Sequence, residues 1–283
     1  MKRRTLLLTI LVGASFFPGY LLAQWGDFTS IDENVKATDG VITKMRIDWT
    51  GPFRYVKVRL NGEFEVSETF DGVRRLTPGT ALIIEEKREK QYRKLEIRDF
   101  EKEDQPVYRY SYQFEEKPYD AAAQAWFAEI MIEIIREAGV LSRQRAAKIH
   151  AADARHGLLT EIDKINRERS KRFYYERLLE QRDIETETLD AILKRIPQEF
   201  EADANFRIVL SEMLSRHELK GELLREWIQV TPEVNNDVTR ANLLTDVVNK
   251  ISPDDLETMA VYRKAAESIR SETERTRALA GLK

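Results

Sequence analysis

The carboxyl-terminal half of the chain carries a hydrophobic pattern that repeats every 34 or 35 residues. The register is set by Ile165, Phe200, Val234 and Ile269. Seven residues before these positions stand Leu158, Leu193, Trp227 and Tyr262, and ten residues after them stand Tyr175, Leu210, Leu244 and Leu279. A period of this length is typical of stacked helix pairs, because one pair cannot bury its apolar face alone. The pattern therefore predicts an α-solenoid of about four repeats of about 35 residues.

A carboxylate recurs in the same register. Three residues after each apolar position the chain has Glu168, Asp203, Asp237 and Glu272. We expect each repeat to contain a shorter helix, a break and a longer helix, with the carboxylate near the start of the longer one. There it would accept unpaired backbone N–H groups and oppose the positive end of the helix dipole. We interpret the column as structural and keep a row of ligand-binding carboxylates as the alternative.

The residues before the repeats alternate between apolar and polar with a period of two, which indicates strands. Strands are predicted near residues 41–49, 54–60, 63–68, 80–86, 92–98 and 107–114. Turn signals separate them, among them Asn61 and Gly62, a dipeptide favoured in hairpins. We expect an antiparallel meander of about six strands over residues 24–117.

A helical domain is predicted over residues 118–283, so the expected fold class is α+β. It begins with linking helices over residues 118–153, and the repeats occupy residues 154–283. The first linking helix, near residues 119–138, is amphipathic, with Trp126, Phe127 and Ile130 on its apolar stripe. We expect it to join the sheet to the repeats.

The amino-terminal segment resembles a secretory signal. Lys2, Arg3 and Arg4 precede an apolar stretch that ends at Ala23. We expect cleavage after Ala23, a periplasmic or secreted protein, and no stable membrane span after cleavage. An uncleaved segment anchored in the inner membrane is the alternative. The chain contains no cysteine, which excludes disulfides and lipid attachment through a lipoprotein cysteine.

The charge of the chain argues against nucleic acid as a partner. Without the predicted signal, 43 basic residues face 49 acidic residues, a net charge near −6. Basic and acidic residues are also interleaved, whereas nucleic-acid binding needs a continuous basic face.

No catalytic residue, cofactor or metal ligand is predicted. The histidines His150, His156 and His217 lie outside any metal-binding motif, and no serine lies in a Gly-x-Ser-x-Gly turn. We therefore expect a protein that is not an enzyme. An envelope hydrolase with an unrecognised carboxylate site is kept as the alternative.

Two sets of residues are candidates for binding. Arg172, Arg207 and Arg240 are expected to be exposed on the longer helices and to contact a partner. As an alternative, the sheet would bind glycans through Tyr108, Tyr110 and Tyr112. That alternative requires exposed rings, whereas a one-faced aromatic strand more often packs on its own sheet.

Several segments carry a family resemblance. They are residues 73–79, 82–86 and 93–97 among the strands, and 119–121, 125–127 and 135–139 in the helix that follows. They resemble the extracytoplasmic module of bacterial membrane metallopeptidases of the beta-lactam-sensor type and of exported stand-alone relatives. The peptidase portion, with its His-Glu-x-x-His zinc motif, has no counterpart in this sequence. The resemblance implies an envelope module for sensing or interaction, and we expect a non-catalytic scaffold that binds an envelope protein or peptide.

Overall fold

The computed structural model describes residues 28–99, 106–153 and 156–282. The predicted signal peptide over residues 1–23 lies outside the described residues. Within them, a nine-stranded antiparallel sheet is followed by ten α-helices, which confirms the predicted α+β class. In the described part of the chain, none of the helices has the length and apolar character needed to cross a membrane.

The sheet contains more strands than the sequence predicted. They are β1 (Ser30–Thr38), β2 (Val41–Thr50), β3 (Arg54–Asn61), β4 (Phe64–Val66), β5 (Val73–Leu76), β6 (Ala81–Arg88), β7 (Gln91–Arg98), β8 (Val107–Tyr112) and β9 (Glu115–Lys117). Their order is β5-β4-β2-β3-β6-β7-β8-β9, and β1 pairs with β2. The strands β1, β5 and β9 were not predicted. Because β4 and β5 are inserted beside β2, the sheet is not a simple meander.

The chain turns at Asn61 and Gly62 as predicted, but β3 and β4 do not pair there as a hairpin. Strand β3 pairs with β2 and β6, whereas β4 pairs with β2 and β5. At the turn, Gly62 has a φ of +97°, and a Cβ there would lie 2.3 Å from Thr80 Oγ1. The Thr80 hydroxyl in turn accepts the Glu63 N–H at 3.1 Å. Position 62 therefore requires glycine because Thr80 lies so close to it. After this turn the chain pairs, as β4, with the beginning of β2.

The inner face of the sheet is covered by α1 (Ala121–Ala138), the amphipathic helix predicted near residues 119–138, and its apolar residues are buried in the sheet core. Asp120 starts this helix by accepting the N–H groups of Ala122 and Ala123, both at 3.0 Å. Trp126 and Phe127 are buried in the same core as Trp49 of β2. Thus α1 and the sheet share one hydrophobic core.

The remaining helices share a second core. They are α2 (Ser142–Ala152), α3 (Gly157–Ile162), α4 (Glu168–Leu179), α5 (Thr186–Glu199), α6 (Asp203–Arg216), α7 (Gly221–Val230), α8 (Asp237–Val248), α9 (Leu256–Glu267) and α10 (Glu272–Leu279), with a 3-10 turn at Thr231–Glu233. The helices α4, α6, α8 and α10 contact one another in series, and so do α5, α7 and α9. The apolar residues that set the sequence register are all buried, namely Ile165, Phe200, Val234 and Ile269.

The expected alternation of a shorter and a longer helix is only partly correct. Helix α3 has 6 residues and α4 has 12, and α7 has 10 where α8 has 12. However, α5 and α6 both have 14 residues, and α9 is longer than α10. Length therefore does not distinguish the two helices of a pair, whereas the position of the carboxylate does, since it is the first residue of α4, α6, α8 and α10.

Three of these carboxylates link each helix to the next one in its series. Each accepts backbone N–H groups from the residues just before that next helix. The bonds are Glu201 and Ala202 to Glu168 (2.8 and 3.1 Å), Asn235 and Asn236 to Asp203 (2.9 and 2.7 Å), and Ser271 to Asp237 (2.8 Å). We call this set the carboxylate ladder. The carboxylates accept unpaired amides as predicted, but the amides belong to the neighbouring helix.

Candidate functional site

A cleft of about 670 Å³ lies beside the outer edge of β1. One wall is formed by residues 33–38, and the other by residues 138–141 in the turn between α1 and α2, with Arg169 and Phe173 of α4. We call this cleft the β1 groove. Among the described strands, β1 pairs with β2 alone, so its other edge presents backbone N–H and C=O groups to the groove. Such an edge can accept an added strand.

The wall opposite β1 is held in an unusual backbone conformation. Gly139 has a φ of +65°, and a Cβ there would lie 2.5 Å from the ring of Phe173. Leu141 has a φ of 57°, which is uncommon for a bulky residue, and its side chain is buried in the sheet core. Packing on both sides therefore fixes this turn, and strain of this kind often accompanies binding sites.

The acidic side chain of the β1 groove is paired, whereas its basic side chains are largely unpaired. Glu33 accepts Arg167 Nη2 at 2.9 Å and Trp49 Nε1 at 3.2 Å, so its negative charge is offset. Arg169 has a 65 % exposed side chain that lies 3.9 Å from Glu33 and over the Phe173 ring. Lys36 is exposed and has no ion pair among the described residues. The groove therefore presents cationic side chains beside an unpaired strand edge.

The arginines predicted to bind a partner have different environments. Arg207 is exposed on α6, as expected. The Arg172 side chain is 17 % exposed, pairs with Glu176 at 2.9 Å and lies over the ring of Phe173. Arg172 and Arg207 occupy the same position in α4 and α6, four residues after the first carboxylate. Only Arg207 therefore presents an open cationic surface.

The expectation that Arg240 is exposed is wrong. Its side chain is buried and donates to the carbonyl oxygens of Val234, Pro232 and Ser268 at 2.6, 2.7 and 3.0 Å. These carbonyls lie before α8 and after α9, where no helix bond satisfies them. Arg240 therefore closes the break between helices and is not available to a partner.

The three predicted tyrosines do not form an exposed platform. Tyr110 is buried against Trp126, with ring centroids 5.7 Å apart. Tyr108 stacks on Tyr119 at 4.8 Å, and Tyr112 also packs against the sheet core. The condition for the glycan-binding alternative is therefore not met.

Two described aromatic residues that the sequence did not single out are largely exposed. They are Phe53 (74 %) and Phe114 (77 %), both in turns between strands. In the sequence Phe114 continues the tyrosine alternation, which placed it in the last predicted strand. The two positive φ values at Gln113 and Phe114 show that the chain turns there instead.

A second cleft of about 320 Å³ lies between α5 and α7. Lys194 and Glu226 line it, and Lys194 pairs with Asp190 at 2.7 Å. Burial, followed by hydrogen bonding to Asp190, raises the pKa of Glu226, whereas the bond from Lys194 lowers the pKa of Asp190. Unlike pKa values in neighbouring carboxyls suit acid–base chemistry, but the Lys194 side chain is 66 % exposed to water. This arrangement suits a link between α5 and α7 better than a closed active site.

The histidines have separate local roles. His217 Nε2 lies 2.9 Å from the carbonyl oxygen of Leu179, His156 is exposed, and His150 is half-buried. Within the described ranges, no group of three or more histidines and carboxylates is arranged to hold a metal ion.

A buried ion cluster fixes α1 on the sheet. Arg54 of β3 donates to Glu86 of β6 at 2.8 Å and to Glu133 of α1 at 2.7 Å, and Trp126 Nε1 donates to Glu86 at 2.8 Å. Burial by itself lowers the pKa of Arg54, but Glu133 and Glu86 raise it above its ordinary value. These partners are far apart in sequence, so no local pattern indicated the cluster.

A second buried cluster joins α1, α2 and α3. Glu161 accepts Arg136 Nε at 2.8 Å and Arg145 Nη2 at 2.8 Å. Burial alone raises the pKa of Glu161, but the two guanidinium groups outweigh it and lower the pKa. The first cluster therefore fixes α1 on the sheet, and the second fixes α2 and α3 on α1.

Comparisons of the chain with protein-family models, curated proteins and solved structures find no match. The residues of the chain must therefore carry the functional conclusion by themselves. Of the surfaces described above, the β1 groove alone combines an unpaired strand edge, fixed walls and uncompensated charge.

Proposed function

We propose that the chain is an exported, non-catalytic scaffold that binds an extended segment of an envelope protein or peptide in the β1 groove. The observation that supports this proposal is the unpaired edge of a nine-residue strand facing a cleft of about 670 Å³. A segment that adds to this edge gains main-chain hydrogen bonds, and its side chains provide specificity. Lys36 and Arg169 favour a segment that carries carboxylates.

The helices contribute rigidity in this proposal. We propose that they form an α-solenoid of about four repeats of about 35 residues, supported by the carboxylate ladder and by the serial contacts of α4, α6, α8 and α10. Such a stack holds α4, which carries Arg169 and Phe173, in place beside β1. It also offers the exposed surface around Arg207 as a second contact area.

Export and envelope location belong to the same proposal. The basic start and apolar stretch before Ala23 support a cleaved signal and a periplasmic or secreted protein. An uncleaved anchor in the inner membrane would place the same groove in the same compartment. The resemblance to extracytoplasmic modules of beta-lactam-sensor-type metallopeptidases agrees with a sensing or interaction role.

Hydrolysis at the cleft between α5 and α7 is the second candidate function. The opposite pKa shifts of Glu226 and Asp190 favour it. Glu226→Gln and Asp190→Asn would abolish any cell-wall hydrolysis that depends on this pair, while leaving binding in the β1 groove intact. Activity that survives both substitutions would remove this candidate.

Site-specific photo-crosslinking in cells tests the scaffold directly. A photo-reactive residue replaces Lys36 in the groove, Arg207 on α6, or Lys250, which is exposed just after α8 and serves as the control. We expect one envelope protein to be captured from position 36 and not from position 250. The additional substitution Arg169→Glu should reduce that capture, because it reverses a charge in the groove.

The other outcomes are equally informative. Capture from position 207 alone would contradict binding in the groove and move the contact to the helices. Absence of a captured protein at positions 36 and 207 would contradict the scaffold itself.

A further inference from the structure

Three turns lie side by side at one end of the sheet. They are residues 51–53 between β2 and β3, residues 89–90 between β6 and β7, and residues 113–114 between β8 and β9. The Glu89 N–H donates to the Phe53 carbonyl at 2.6 Å, and Gln113 Nε2 donates to the Lys90 carbonyl at 2.8 Å. We call these three connected turns the turn tip. Their hydrogen bonds make one surface out of segments that are distant in sequence.

Two aromatic side chains project from the turn tip. Phe53 is 74 % exposed and Phe114 is 77 % exposed. One face of the Phe114 ring stacks on Tyr92 at 4.2 Å with an interplanar angle of 14°, which fixes its orientation. Each ring leaves apolar surface in water, which is unfavourable and would be relieved by burial against an apolar phase.

The backbone of the turn tip is also unfavourable for the residues it carries. Gln113 and Phe114 have φ values of 53° and 68°, the left-handed region that favours glycine or asparagine. A glycine at position 114 would relieve the backbone but remove the ring. The chain therefore accepts backbone strain at the place where it presents an aromatic side chain to solvent.

Basic side chains lie in and beside the β6–β7 turn, and one of them, Arg88, is 3.5 Å from Glu86. Lys87, Arg88 and Lys90 are exposed in and beside the turn between β6 and β7, with Glu89 as the single acid between them. Beside Phe114, Lys117 pairs with Glu115 at 2.7 Å and Glu116 is exposed, so the positive charge of the turn tip is confined to the β6–β7 turn. The β6–β7 turn is therefore locally positive, although the whole chain has a net charge of −3.

We propose that the turn tip docks on an anionic lipid surface, with Phe53 and Phe114 at the depth of the headgroups and Lys87 and Lys90 against lipid phosphates. Phenylalanine rings of membrane-surface segments insert at the boundary between headgroups and acyl chains, and lysine stems can extend so that the charge stays at phosphate level. A flat surface can contact all three turns at once, whereas a pocket on a protein would take one ring. This contact is peripheral and lies at a different place from the β1 groove.

Vesicle binding tests the proposal. The whole chain is expressed, the soluble protein is purified, and mass spectrometry establishes its amino terminus, so that all variants share it. Sedimentation is then measured with vesicles of phosphatidylcholine alone and with vesicles that also contain phosphatidylglycerol. We expect binding to the anionic vesicles, and roughly a tenfold loss of affinity for each of Phe53→Ala and Phe114→Ala.

Leu256→Ala is the matched control, because Leu256 is 75 % exposed on α9, away from the turn tip. This variant should bind like the wild type. Lys87→Glu combined with Lys90→Glu should weaken binding by more than tenfold and reduce its dependence on salt. Since these residues are exposed, circular dichroism should show unchanged folding.

Three results would overturn the proposal. The first is a wild-type protein that fails to bind anionic vesicles. The second is equal binding by the wild type and the double phenylalanine variant. The third is self-association that the phenylalanine variants abolish while vesicle binding persists, since that result would assign the rings to a protein contact.

Discussion

Replacing Asp203 tests whether the carboxylate ladder couples one helix to the next. Asp203 is the first residue of α6 and accepts the N–H groups of Asn235 and Asn236 at 2.9 and 2.7 Å. Those amides lie just before α8, where no intrahelical carbonyl can satisfy them. Asp203→Ala removes both bonds, whereas Asp203→Asn keeps one acceptor oxygen and removes the charge.

The expected destabilisation follows from the number of bonds. A hydrogen bond that water can partly replace contributes about 1 kcal/mol net, even though charged acceptors reach higher values in buried sites. Loss of both bonds should therefore lower the free energy of unfolding by about 2 kcal/mol in Asp203→Ala, and by about 1 kcal/mol in Asp203→Asn. The free energy of unfolding should therefore be highest in the wild type, lower in Asp203→Asn and lowest in Asp203→Ala, and this order is a stronger prediction than either value.

Urea unfolding gives the change in stability, and amide hydrogen exchange locates it. We expect faster exchange at Asn235 and Asn236 in both variants. Asp246→Ala is the control, because Asp246 is exposed on α8 and forms no ion pair within the described residues. It should change the free energy of unfolding by less than about 0.5 kcal/mol. If Asp203→Ala behaved like this control, the ladder would not couple the helices.

Three further predictions concern other contacts. Glu161→Gln should destabilise the protein by about 3 kcal/mol, because it leaves two buried guanidinium groups without their carboxylate. The folded pKa of Glu161 is lowered, so the stability that this carboxylate contributes is complete above the ordinary glutamate pKa and is lost as the pH falls through the folded pKa. Acid should therefore destabilise the wild type more than the variant. Gly62→Ala should lower the unfolding midpoint in urea well below that of Gly40→Ala, because both glycines have positive φ but only Gly62 has a clash, with Thr80; equal midpoints would contradict the packing. The hydrogen bond from the Ser271 N–H, with a smaller contribution from Arg270, lowers the pKa of Asp237. A carboxyl NMR titration should therefore find the pKa of Asp237 below that of an ordinary aspartate.

The sequence predicted the helices of the carboxyl-terminal half and the starts of four of them, because the apolar residues of their core recur periodically. Ile165, Phe200, Val234 and Ile269 recur every 34 or 35 residues, and each is buried three residues before the start of α4, α6, α8 or α10. The carboxylates of the ladder recur with them, so their role in accepting amides could also be predicted. Which amides each carboxylate accepts could not be predicted, because the bonds join residues 32 to 34 positions apart and depend on how the helices pack.

The strand that borders the β1 groove was missed for a local reason. Strand β1 is mostly exposed, and its outer positions are polar, so its alternation is weak. A signal was nevertheless present in Asp39 and Gly40, a dipeptide typical of two-residue hairpin turns. Both residues have positive φ in the structure, 51° and 86°, and they connect β1 to β2. With that turn recognised, an edge strand before residue 39 could have been predicted.

The binding residues were harder to predict, because exposure depends on distant contacts. Arg240 and Arg207 both follow an acidic residue by a few positions. However, the Arg240 side chain is buried, because it donates hydrogen bonds to carbonyl oxygens that lie before α8 and after α9. The tyrosines of β8 lie on the sheet face that α1 covers, so their alternation in the sequence reflects burial against α1 and not a binding surface. Lys36 and Arg169 are brought to one groove from β1 and α4, and no sequence interval relates them.

The central claim is that a partner segment binds in the β1 groove, and a crosslinking pull-down with charge-reversal variants tests it most directly. The tagged whole chain is compared as wild type, as Lys36→Glu with Arg169→Glu, and as the control Lys250→Glu, after circular dichroism shows that all three are folded. Crosslinked peptides are mapped by mass spectrometry. We predict that the wild type and the control recover the same envelope protein, linked to residues 33–38, and that the groove variant loses it. Equal recovery by all three proteins, or links that avoid the groove, would contradict the account.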